Sequence, residues 1–131
     1  MSDRLHVAVD ADPHLVGVVR RTVTAWLAAM RWPEPHTAGP VFAVSEAVSN
    51  SIEHAYRDLH NGRIVVDLAV DDTDDARTLR VVVTDYGSWR GGRPGEDRGN
   101  GLALIHSVVD SLQVDSDAAG TRVAMCIAVA R

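Results

Sequence analysis

The sequence predicts an α+β domain, a two-layer sandwich whose mixed, mainly antiparallel sheet carries helices on one face. Apolar residues recur at helical spacing in two early stretches, and β-branched runs flank an acidic turn further on. Helical and strand patterns fall in separate clusters rather than in strict βαβ alternation, which favours antiparallel pairing with the helices gathered on one side.

Leu5-His6-Val7-Ala8-Val9 alternates as a short strand, and Asp12-Pro13 then supplies an N-cap followed by proline at the first helical position. Leu15, Val18, Val19, Val23, Trp26, Leu27 and Met30 place a first helix at about 13–31, closed by Trp32-Pro33-Glu34-Pro35. In a second helix Val41, Val44, Val48, Ile52 and Ala55 form the apolar stripe, with Glu46, Asn50, Glu53 and Arg57 on the opposite side. Asn61-Gly62 is a turn, Ile64–Val70 a strand rich in β-branched residues, and Leu79–Thr84 the next, with Asp85 at its end. The acidic run Asp71-Asp72-Thr73-Asp74-Asp75 reads as a solvated hairpin tip, since it lacks the glycine and closing glutamate of a calcium loop. Tyr86 to Arg98 is glycine-rich and poor in apolar residues, as a mobile lid would be. A third helix opens near Asn100–Leu102, and strands at Leu112-Gln113-Val114 and Thr121–Val129 complete the order.

With 131 residues the chain has room for one domain and a core of its own. No apolar run approaches the ~20 residues of a membrane span. Met1-Ser2-Asp3-Arg4 runs straight into the alternating pattern without the apolar stretch of a signal peptide, so the cytoplasm is the expected location. A net charge of −5 disfavours a nucleic-acid backbone as the main partner. Cys126, the sole cysteine, lies in an apolar run and reads as a core residue. All 13 basic side chains of the Lys+Arg class are arginine. The absence of lysine excludes a P-loop, the strand lysine of the protein-kinase fold and Schiff-base chemistry. A nucleotide would have to be held by Mg²⁺, backbone N–H groups and arginine.

Glu46 and Asn50 stand one helical step apart, which sets a carboxylate and an amide oxygen side by side. The first can accept a proton while the second holds Mg²⁺. Asp85-Tyr86-Gly87 and Gly99-Asn100-Gly101-Leu102 follow, and their glycines let backbone approach a purine or polyphosphate, the latter before a helix whose N-terminus attracts anions. That order of parts reads as an ATP site. On pattern alone Asn50 and Glu46 would be helix-surface residues, Asp85 a turn aspartate and Thr121 a strand threonine. Only the ordered set reverses those readings.

With these residues placed, the chain resembles the GHKL-type ATPases, and within them the bacterial anti-sigma factor serine kinases. Glu46 to Tyr56 looks like the N box of that group, Asp85-Tyr86-Gly87 its first glycine box, Arg98 to Leu102 its second, and Gly120-Thr121 its terminal glycine–threonine pair. Trp89 departs from the pattern, standing where the first glycine box usually has a second glycine. An indole there would stack on the nucleotide or crowd it.

The resemblance implies the GHKL (Bergerat) fold over 1–131, with ATP and Mg²⁺ bound. Asn50 would hold the metal, and Glu46 would act as general base toward a partner's serine, or orient water. Asp85 would accept from the adenine amine and so favour ATP over GTP. Gly87 would shape the base pocket; Gly99, Asn100, Gly101 and Leu102 would face the phosphates; Arg98 would contact them; and Thr121 would help directly or through water. Arg90 and Arg93 are weaker phosphate candidates. His54 would pack or hydrogen-bond near the site, since no histidine has a zinc spacing.

The implied activity is that of an ATP-dependent serine/threonine protein kinase that sequesters a sigma factor and phosphorylates a STAS-type antagonist in a partner switch. A homodimer is implied as well, through the N-terminal strand and first helix, with no direct nucleic acid and no membrane. The alternative is a non-catalytic binding module gated by ATP and ADP. A sensor histidine kinase is disfavoured because no helix pair remains to carry a phospho-accepting histidine, and an ATPase of DNA handling is disfavoured by size and acidity.

Overall fold

The computed structural model describes residues 3–55, 62–87 and 99–130. Within them lie β1 (Arg4–Asp10), α1 (Val16–Ala29), α2 (Ala38–Asn50), β2 (Arg63–Asp72), β3 (Ala76–Asp85), α3 (Gly99–His106), β4 (Ser111–Asp117) and β5 (Gly120–Ala130). The five strands form one sheet in the order β1-β2-β3-β5-β4, and all four pairings are antiparallel, so the parallel component of a mixed sheet is absent among the described residues.

Alternation along the strands makes two faces. Ile64, Val66, Leu68 and Val70 of β2, Leu79, Val81 and Val83 of β3, and Val123, Met125 and Ile127 of β5 are buried with Val19, Val23, Trp26 and Leu27 of α1 and Ala43, Val44, Ala47 and Val48 of α2. On the other face Arg63, Asp71, Arg80 and Arg122 are exposed. Cys126 is half-buried there, with Arg80 Nη1 3.9 Å from its sulfur, rather than in the core.

The first helix begins as expected but in two pieces. Asp12 Oδ1 accepts from the His14 backbone N–H at 2.9 Å, a single 3₁₀ turn spans Pro13–Leu15, and α1 follows. At its other end Arg31 N–H donates to Ala28 O at 3.0 Å and Trp32 N–H to Leu27 O at 2.9 Å, with Arg31 at a φ of 59°. This is a Schellman closure with arginine where glycine is usual. Trp26 and Trp32 both lie in the core.

Arg77 reaches from β3 to this helix end. Its Nη1 and Nη2 donate to the carbonyls of Arg31 at 2.8 Å and Met30 at 2.9 Å, its Nε donates to Asp72 at 2.7 Å, and the guanidinium lies 5.7 Å from the Trp32 ring centre. A cation at a helix C-terminus satisfies carbonyls that no intrahelical donor can reach.

Helix α2 does not continue as one α-helix through Ala55. After Asn50 the chain makes a π turn over Ser51–Ala55, which inserts an extra residue and rotates the side chains beyond it relative to an α-helical path.

Candidate functional site

The site is centred on Asp85, the last residue of the central strand, whose side chain points under the helix layer and is 1% exposed. Three donors from three places converge on it. Oδ2 accepts from the Ser51 hydroxyl at 2.8 Å, and Oδ1 accepts from the backbone N–H of Thr121 at 3.2 Å and of Gly87 at 3.3 Å. A carboxylate so held has its plane fixed, a prerequisite for reading a hydrogen-bonding edge.

Register explains the convergence. Asp85 lies opposite Ile64 on one side and Thr121 on the other, and Thr121 lies opposite Ser116. The Thr121 and Ser116 hydroxyls are 3.1 Å apart. Gly120 comes so close to β3 that a Cβ there would lie 2.0 Å from the Asp85 carbonyl oxygen, at a φ of 145°. No side chain fits between the two backbones.

Asn50 precedes Ser51 and ends α2. It is 8% exposed, so it does not sit on a solvated face opposite the apolar stripe, as helical periodicity suggests. Asn50 Nδ2 is fully enclosed with no hydrogen-bond partner among the described residues, an arrangement that costs about 1–3 kcal/mol when nothing compensates it. Glu46, one turn earlier and half-buried, lines a 610 Å³ groove between α1 and α2, with Arg20, Val41, Phe42 and Ser45 among the other walls.

The other candidates divide into two groups. Gly87 is buried beside Asp85, Thr121 is 2% exposed, and Leu102 is half-buried against the core. Gly99, Asn100 and Gly101 form the first turn of α3, which starts one residue before the expected position, and His54 lies in the π turn. The side chains of His54 and Asn100 lie outside the described residues, as do Arg98, Trp89, Arg90 and Arg93. Periodicity passed over Ser51, which is 2% exposed. A small hydroxyl directly after Asn50 was the available signal.

A five-stranded antiparallel sheet under three helices, with a hydrogen-bonded acid at the end of its central strand, defines among the described residues a two-layer sandwich with a buried polar site at that strand end. The model of the histidine kinase-like ATPase domain matches residues 9–127, and the chain belongs to that family. It is 29% identical to a serine-protein kinase RsbW of Bacillus velezensis, over 94% of this chain and 84% of that one. A serine-protein kinase RsbW of Oceanobacillus iheyensis is 26% identical, over 87% of this chain and 80% of that one. Among solved structures, the RsbU and RsbW domains of a Mycobacterium tuberculosis protein superpose with a TM-score of 0.79 at 29% identity, covering 98% of this chain and 33% of that longer one. A blue-light activated histidine kinase of Erythrobacter litoralis gives 0.56 at 27% identity, over 72% of this chain and 31% of that one.

Proposed function

We propose that this chain is an ATP-dependent serine/threonine protein kinase that also acts as an anti-sigma factor, phosphorylating a STAS-type antagonist protein. The observation that carries the reading is the pairing of a fixed, buried Asp85 carboxylate with a buried Asn50 amide that no described protein group satisfies. Such a combination suits a ligand with a hydrogen-bond-donating base at one end and a metal-bound polyphosphate at the other. Likeness to the RsbW kinases, over most of both chains, supports the choice of acceptor chemistry.

The residues suit Mg²⁺. Mg²⁺ takes most of its ligands from phosphate and water and needs few from the protein. Asn50 would supply one oxygen. With no partner among the described residues fixing its sense, the amide can present Oδ1 by a half-turn about χ2. When bound, the ion supplies charge neutralisation of the phosphates.

Asp85 would accept from the adenine amine while Ser51, Gly87 and Thr121 hold the carboxylate in plane. Glu46 would take the proton of an acceptor serine arriving from the groove side of α2. Gly99, Asn100, Gly101 and Leu102, at the start of α3, would face the phosphates, with Arg98 contributing charge.

No helix among the described residues is long and apolar enough to cross a membrane. The cytoplasm, beside its transcriptional partners, is the location we propose. A homodimer fits the β1 edge of the sheet, where among the described residues β1 pairs with β2 alone. If β1 paired antiparallel with a second copy about Val7, Arg4 would oppose the partner's Asp10, and Leu5 the partner's Val9. Light scattering that finds only monomer would remove this arrangement.

The deciding experiment is transfer of labelled γ-phosphate to a serine of a candidate antagonist, with Glu46→Ala beside the unmodified protein. Transfer that depends on Glu46 supports the kinase. Tight ATP and ADP binding without transfer to any antagonist would leave the non-catalytic, nucleotide-gated module in its place.

A further inference from the structure

Ser51 sits where two parts of the site join. Its backbone N–H closes α2 on the carbonyls of Ala47 and Val48, its hydroxyl donates to Asp85 Oδ2 at 2.8 Å, and its neighbour in the chain is Asn50. It also begins the π turn, where the helical pitch of α2 changes. Ser51 itself keeps α-helical dihedrals, so it and Asn50 are fixed together by the last turn of α2, with Ser51 reaching the sheet end and Asn50 enclosed. Both polar groups are nearly dry, Ser51 at 2% and Asp85 at 1% exposed, so water cannot replace the bond if it is lost.

The Gly87 and Thr121 N–H groups both donate to Oδ1 of Asp85, and both come from backbone next to the sheet end. Ser51 ties the carboxylate to the helix layer, and it does so through Oδ2. Anything that pulls on Oδ2 therefore pulls on the turn that carries Asn50.

We propose that Ser51 is a positioning residue that couples base recognition at Asp85 to metal binding at Asn50, through the last turn of α2 that carries both Asn50 and Ser51. The coupling rests on the reading of Asp85 and Asn50 as base and Mg²⁺ contacts. It goes beyond that reading by assigning the linkage to a single hydroxyl. The hydroxyl holds the carboxylate in the plane that accepts the adenine amine, and the same bond fixes the end of α2 so that the Asn50 amide is oriented toward the phosphate side. Occupancy at one end should then strengthen binding at the other, a reciprocal free-energy coupling between sites.

The test is calorimetric binding of ADP and of IDP, whose base carries a carbonyl in place of the adenine amine, each with and without Mg²⁺. The unmodified protein is compared with Ser51→Ala and with Ser51→Cys, which fills nearly the same space with a weak donor. Loss of one hydrogen bond to a charged acceptor should lower ADP affinity about 10-fold. IDP affinity should change about twofold or less, and the Mg²⁺-dependent gain for ADP should shrink in both variants. A merely structural serine would lower ADP and IDP equally and leave the ratio intact. If either the ADP-over-IDP ratio or the Mg²⁺-dependent gain is unchanged in the variants, the coupling is wrong while the nucleotide site stands. If the unmodified protein binds neither nucleotide, the underlying reading fails and takes the coupling with it.

Discussion

The two ends of β3 each place a charged side chain under the helix layer, and they use it differently. Arg77 enters at the start of the strand and gives its donors to two helix carbonyls and a carboxylate while stacking near Trp32. Asp85 closes the strand and also accepts from three elements, yet beside it lies the buried Asn50 amide with an unmade bond. One end is completed by the chain itself. The other keeps an amide that no described residue satisfies, and on the proposed reading the difference separates a clamp that holds the fold from a site that takes a ligand.

The largest effect should come from closing the gap behind Asp85. Gly120→Ala puts a Cβ 2.0 Å from the Asp85 carbonyl oxygen and forces alanine to a φ of 145°, and the two penalties together should destabilise the fold by about 4 kcal/mol. Denaturant unfolding measures the loss, and nucleotide affinity should fall with it because the strand that carries the Asp85 carboxylate must shift. Wild-type stability in this variant would mean the two backbones are not in contact.

Next in size is the clamp. Arg77→Ala leaves two carbonyls of the α1 terminus and Asp72 without their donor, and should cost about 3 kcal/mol, or roughly 10 °C in Tm. ADP affinity measured well below that melting temperature should be unchanged. Equal damage to binding and stability would erase the distinction between the two ends of β3.

A smaller, opposite change is available at the same end. Arg31→Gly relieves a left-handed arginine at a φ of 59° and should raise stability by about 1 kcal/mol with no effect on nucleotide binding. A thermal melt detects it, and a loss of stability would show that the Arg31 side chain contributes more than its backbone costs.

The two ends of β3 were unequally legible in the sequence. Asp12-Pro13, the strand runs and the acidic hairpin tip carry local signals, and each became the element expected, with bounds moved by one to three residues. Asp85, Gly87 and Thr121 could be found because their spacing along the chain is itself the signal, and the structure gathers them. The clamp has no such signal. Arg77 looks like one more polar strand residue until β3 lies beside the C-terminus of α1. The burial of Asn50 and the role of Ser51 escaped for a related reason. Helical periodicity assigns one face to the core and the other to solvent, whereas here both Asn50 and Ser51 are buried at the end of α2, which only the tertiary arrangement shows. Gly120 could be recognised as part of a pair, but the distance that demands glycine exists only between two strands.

The measurement that tests the contrast most directly is Asn50→Leu, followed by two readings on the same protein: unfolding without ligand, and calorimetric binding of ADP with and without Mg²⁺. Replacing an enclosed, unsatisfied amide by an apolar side chain of similar size should raise ligand-free stability by about 1 kcal/mol while the Mg²⁺-dependent part of ADP binding disappears. Mg²⁺-assisted binding that survives intact in the leucine variant would contradict the account, because the unmade bond at Asn50 would then belong to the fold and not to the ligand.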